Sequence, residues 1–115
     1  MNLSTFPHAI ATAQTKLVKI NNDLNNARRN LSTEEFEIDK EIAFSTEFKN
    51  DSQRKAARVQ MLQDSAKYQE LTALLESINE KYQLADIDLQ LVKNHFAIGK
   101  LEARERIADK ESLIG

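Results

Sequence analysis

Gln53, Arg54, Lys55 and Arg58 are the side chains of this chain whose types and spacing best suit contact with a ligand. Three cations so close together can grip a phosphate, a nucleic-acid backbone or an acidic protein surface. They stand where a long helix should begin, and there the helix macrodipole disfavours positive charge, so an anion or an acidic neighbour must balance them. The acidic stretch Glu34, Glu35, Glu37, Asp39 and Glu41 supplies such a neighbour across an intervening turn. A solvated face paired with that stretch is the plainer reading, and contact with an anion or a partner the sharper one. A second basic cluster, Lys100, Arg104 and Arg106, lies near the far end of the same helix, where cations suit the dipole and require no ligand.

Other chemistries lack their parts. Glu35 and Asp39, four residues apart, could face one ion, but a carboxylate-bridged metal bundle needs a carboxylate three residues before a histidine, and neither His8 nor His95 has one. His8 lies near a helix start facing solvent, and His95 flanks an apolar seam beside Phe96, a place for hydrogen bonding rather than catalysis. The absence of cysteine excludes disulfides, iron–sulfur clusters, thiolate zinc sites and thiol catalysis together. The two glycines, Gly99 and Gly115, cannot write a phosphate-cradling loop. No Ser, His and Asp order stands in a strand-rich context that would position a nucleophile. Tyr68 and Tyr82 share a seam with leucines, so they read as core with their hydroxyls at its edge, not as a platform for bases. The expectation is therefore no catalytic residue, no cofactor, no metal and no enzymatic activity.

Net charge is −2, from 16 basic and 18 acidic residues spread along the chain, which gives no sequence-wide pull toward phosphate or anionic lipid. No segment approaches the roughly 20 apolar residues needed to span a bilayer, and Met1 to Ala13 lacks a positive region followed by a long apolar run. A cytoplasmic location is expected, with no membrane partner. Hydrophobic residues at 41% and charged residues at 30% suit a folded chain. With two glycines and one proline in 115 residues, it should form a single domain of two or three helices.

Two seven-residue apolar repeats define those helices. Ile10, Ala13, Leu17, Ile20, Leu24, Ala27 and Leu31 follow alternating steps of three and four, with polar residues elsewhere. The second repeat, Met61, Asp64, Tyr68, Leu71, Leu75, Ile78, Tyr82, Ala85, Leu89, Val92, Phe96, Gly99 and Ala103, is apolar or aromatic at eleven of thirteen positions. These predict an all-α fold, a long helical hairpin or antiparallel coiled coil: helix one over about 6–44, a turn over about 45–52 and a long helix over about 53–110. Ser4 or Thr5 should cap helix one, with Pro7 in its first turn, and Asp51 or Ser52 should cap the second. Ser32 followed by Glu35 reads as a capping box, and Phe36, Ile38, Ile42, Phe44 and Phe48 fit neither period, so a break near Ser32 competes with a continuous helix of roughly 55 Å. The continuous form is preferred.

Beyond Gln83 a second apolar stripe, Leu84, Ile87, Leu91, Ile98 and Leu101, accompanies the seam. One partner helix cannot bury both. Self-association through this half is the expected remedy, most simply a two-fold dimer forming a four-helix bundle, with those five residues as the oligomer interface. Gly99 costs about 1 kcal/mol of helix relative to Ala, so it should mark a kink or a close approach.

Lys49-Asn50-Asp51-Ser52-Gln53-Arg54-Lys55-Ala56, followed by Tyr68-Gln69-x-Leu71 and a heptad helix containing Phe96 and Lys100-Leu101, resembles small uncharacterised coiled-coil proteins encoded by bacteriophages, prophages and bacterial genomes. The resemblance covers roughly residues 36–104. It implies an all-helical fold and a phage-associated role, since such genes are often found near recombination or replication functions; it implies no activity and no catalytic residue. The leading expectation is a non-enzymatic coiled-coil module for self-assembly and interaction with a further, unidentified protein. The alternative is a nucleic-acid-binding accessory protein that uses Gln53, Arg54, Lys55 and Arg58 as a backbone contact.

Overall fold

The computed structural model describes residues 2–114, so Gly115 lies outside the described residues. Among them the chain is all-α, without a strand: a 3₁₀ turn over Leu3–Thr5, then α1 (Phe6–Phe44), α2 (Asp51–Asp64) and α3 (Ala66–Ile114). It divides into two compact units. One joins α1 up to Ile20 with α3 from Lys81, and the other is Asn21–Glu80. In each unit α1 runs antiparallel to the returning chain, the hairpin that the two seams predict.

The ends of the helices differ from expectation in their details. Ser4 and Thr5 do not cap α1; they sit in the 3₁₀ turn, where Asn2 Oδ1 accepts from the Ser4 N–H at 3.2 Å and the Thr5 hydroxyl donates to the Asn2 carbonyl at 2.7 Å. Pro7 falls in the first turn of α1, where no hydrogen bond is asked of its nitrogen. The second helix is capped by Asn50, not by Asp51 or Ser52. Asn50 adopts an extended backbone and its Oδ1 accepts from the Gln53 N–H at 2.9 Å, while Gln53 Oε1 accepts from the Lys49 N–H at 2.7 Å. The first bond satisfies one of the helix's orphan donors, and the second ties the residue before the cap back to the first turn.

No break occurs near Ser32. The Thr33 hydroxyl donates to the Arg29 carbonyl one turn back, and α1 continues to Phe44. Ile38 and Ile42 are buried and extend the first seam, whereas Phe36 and Phe44 are exposed on other faces. Phe36, Ile38, Ile42 and Phe44 thus stand on different faces of one helix and Phe48 lies beyond its end, which is why the five fit no single period.

The long helix expected over about 53–110 is interrupted. α2 ends at Asp64, Ser65 takes an extended backbone with ψ 108°, and α3 starts at Ala66. Asp64 cannot occupy the seam position assigned to it, because a carboxylate placed there loses water without gaining a partner. The chain turns Asp64 outward, where it accepts from Gln60 Nε2 at 3.0 Å, and Ser65 takes the inward place.

The core is small. In the Asn21–Glu80 unit Leu24, Ala27, Ile38 and Ile42 are buried against half-buried Met61, Leu62, Tyr68, Leu71, Leu75 and Ile78. In the other unit Phe6, Ala85 and Leu89 are buried, with the Phe6 and Phe96 rings 5.6 Å apart. Both repeats thus face inward, and α3 runs unkinked through Gly99. A Cβ at Gly99 would stand 3.0 Å from Leu3 Cδ2 and 3.9 Å from Phe6 Cε2, so this glycine marks a close approach by the 3₁₀ turn.

Candidate functional site

Leu84, Ile87, Leu91, Ile98 and Leu101 are between 51% and 64% exposed, so their own chain leaves them open. At about 100° per residue they lie roughly 140° around α3 from the seam of Ala85, Leu89, Val92 and Phe96. α1 covers the seam and cannot reach round to the stripe. Between the two runs an open groove of about 570 Å³, lined by Phe6, Leu91, Val92, His95, Ile98, Gly99 and Glu102. Phe6, Leu91, Val92 and Ile98 make it mainly aliphatic and aromatic, with His95 and Glu102 between them on α3. Exposed contiguous apolar surface of this kind is the type of surface on which proteins meet partners.

The basic cluster is largely occupied within its own unit. Arg58 Nε donates to Asp39 Oδ1 at 2.8 Å and its Nη2 lies 4.0 Å from Glu35 Oε2. Arg54 pairs with Asp51 on the same helix at 3.1 Å, and Gln53 is engaged in the cap. Lys55 is exposed and makes no ion pair among the described residues. The acidic stretch therefore acts on this cluster across the turn, though through two of its five members. The cation that Glu35 and Asp39 face is the Arg58 guanidinium. Among the described residues no three His, Asp or Glu side chains converge as metal ligands would.

Sequence reasoning missed a polar layer in the middle of the Asn21–Glu80 unit. The Glu34 side chain is only 15% exposed, and its carboxylate accepts from the Ser65 hydroxyl at 3.2 Å with Lys67 Nζ 3.6 Å away. The Tyr68 hydroxyl reaches Glu35 Oε1 at 3.5 Å, at the edge of the core as its seam position predicts. The signal was present as the polar Asp64-Ser65 pair inside an apolar repeat, the place where a helix-capping residue and a seam position coincide.

The remaining candidates are quickly placed. His8 and His95 are exposed, and Tyr82 is half-buried in the seam. Lys100 Nζ lies 4.6 Å from the centre of the Phe96 ring, a cation–π contact on the solvent side. Arg104 and Arg106 are exposed. No helix among the described residues is long and apolar enough to cross a membrane. Comparison with protein-family models, with curated proteins and with solved structures finds no match, so the functional reading rests on the chain itself.

Proposed function

We propose that this chain is a non-enzymatic coiled-coil module that assembles with itself through the α3 stripe and offers the resulting surface to another protein. The observation that carries the proposal is the exposure of Leu84, Ile87, Leu91, Ile98 and Leu101 on a face that α1 does not cover. Covering the open half of five such side chains is worth about 1 kcal/mol each, or roughly 5 kcal/mol per copy. Association itself costs an estimated 4–15 kcal/mol, so the balance is close and assembly should depend on concentration. The product is a homo-oligomer held through that stripe. A cytoplasmic setting within phage or mobile-element DNA metabolism accords with the resemblance of residues 36–104 and with the lack of cysteine.

The nucleic-acid reading has less support. Of Gln53, Arg54, Lys55 and Arg58, three already serve a cap or an ion pair, and freeing them would sacrifice those contacts.

Sedimentation over a concentration series tests the proposal. The wild-type chain should gain mass as concentration rises. Leu91→Lys with Ile98→Lys should remain monomeric while keeping its helical circular dichroism. A wild-type chain that stays monomeric throughout, or a double variant of unchanged mass, would overturn it.

A further inference from the structure

We infer that the α3 stripe seats the outward face of α1 from a second copy, and not a second stripe. The inference rests on the self-assembly reading and adds which surfaces meet. Its first support is charge. Asp88, Glu102 and Glu105 are exposed, lie within about 80° of the middle of the stripe around the helix, and make no ion pair among the described residues. Lys93, Lys100 and Arg104 of the same helix project toward the other side by the same geometry. Two stripes laid together would bring carboxylates of both copies into one apolar joint, where they outnumber Arg106, the exposed cation that shares Asp88's angular position on the helix, and like charges repel.

The outward face of α1 has the complementary character. No acidic residue precedes Asp23, while His8, Lys16 and Lys19 border a shallow depression floored by Ala11, Thr12 and Thr15. The Thr15 hydroxyl donates to the Ala11 carbonyl at 2.9 Å, so its polar end is satisfied within the helix and its methyl is presented outward. Val18, next along this face, is 60% exposed. Small residues let a helix axis approach closely, and large aliphatic residues on the visitor fill the space they leave. Leu84, Ile87, Leu91 and Ile98 supply the large side chains and the acidic rim meets Lys16 and Lys19. The face lies on the side of α1 opposite Ile10, Ala13 and Leu17, so docking there leaves the chain's own seam intact.

The two meeting surfaces are different, so the contact is head-to-tail. A pair formed this way still presents one stripe and one α1 face, and the assembly grows into a ring or an open row in place of a closed two-fold dimer.

The lack of cysteine makes the test direct. Thr12→Cys and Asn94→Cys place single thiols on the α1 face and within the stripe, both at exposed positions. Mixed and oxidised at a concentration where the chain associates, they should give the Thr12→Cys to Asn94→Cys disulfide well above the Asn94→Cys homodimer. Lys16→Glu with Lys19→Glu should weaken association roughly tenfold, and the same change mixed with Asp88→Lys and Glu102→Lys should restore it. A dominant Asn94→Cys homodimer, or association indifferent to these reversals, would overturn the inference while leaving self-assembly standing. A wild-type chain monomeric at every concentration would remove both.

Discussion

The Ser65 hydroxyl donates to Glu34 Oε1 at 3.2 Å while accepting from the Tyr68 backbone N–H at 3.0 Å. One side chain thus caps α3, which the Gln69 N–H bond to the Ser65 carbonyl at 3.1 Å helps to close, and ties it to α1. The break between α2 and α3 is held open by this double duty. Removing the hydroxyl strands a helix N–H and leaves a mostly buried carboxylate one donor short. Ser65→Ala should cost about 1–2 kcal/mol in chemical denaturation. A change of only about a few tenths of a kcal/mol would mean that water replaces the hydroxyl freely.

Gly99 offers a prediction with two opposed contributions. Alanine there gains about 0.8–1 kcal/mol of helix propensity. Its methyl would meet Leu3 Cδ2 at 3.0 Å, the far end of a flexible, half-buried side chain that can give by a few tenths of an ångström. The propensity should win, so Gly99→Ala should melt slightly higher than the parent. Gly99→Leu should melt lower, since a branched side chain must displace both Leu3 and Phe6. Equal melting of the two variants would show that nothing approaches this glycine in solution.

Phe6 is 7% exposed and carries the end of its unit on a ring contact with Phe96. Phe6→Ala should cost about 3 kcal/mol. The double-mutant cycle with Phe96→Ala should return a coupling of about 1 kcal/mol, and a coupling of zero would place the two rings apart.

Arg58 is partly exposed, and its pair with Asp39 is screened by solvent. Arg58→Ala should change stability by less than about 1 kcal/mol. A salt titration with single- and double-stranded DNA should detect no retention even at low salt. Binding that falls steeply as salt rises, and falls further in Lys55→Ala, would revive the nucleic-acid reading.

Much of this fold was legible because it is periodic. Ile10 to Leu31 all face inward, and so do Tyr68 to Ala103 at every step of the second repeat. The start of α1 near residue 6 followed from the candidate caps and Pro7, and its end near 44 from preferring a continuous helix up to the turn residues, since the repeat itself stops at Leu31. What stayed hidden was local competition between hydrogen bonds. Nothing in the types of Asn50, Asp51 and Ser52 says which will cap, since all three can; the partner at Gln53 decides. Likewise Ser65 wins its place from Asp64 because Glu34 stands opposite, thirty-one residues away. The stripe from Leu84 to Leu101 was legible as a surplus of apolar residues, while its acidic rim acquired meaning only beside the basic outward face of α1.

Among the described residues, the side-chain hydrogen bonds and ion pairs between α1 and the returning chain join Glu34, Glu35 and Asp39 to Arg58, Ser65, Lys67 and Tyr68, and Gln69 Nε2 donates to the Leu62 carbonyl at 3.2 Å between α3 and α2. Directional bonds of this kind resist axial sliding. Among the described residues, the unit built from the start of α1 and the end of α3 has no such bond between its helices and is aligned by packing, with the Phe6 ring tilted against Phe96 and Leu3 lodged at Gly99. Aliphatic ridges can step past one another by a helical turn, about 5.4 Å, without breaking any bond. At that end of the molecule the fit of Phe6 and Leu3 is therefore what keeps the two helices in step.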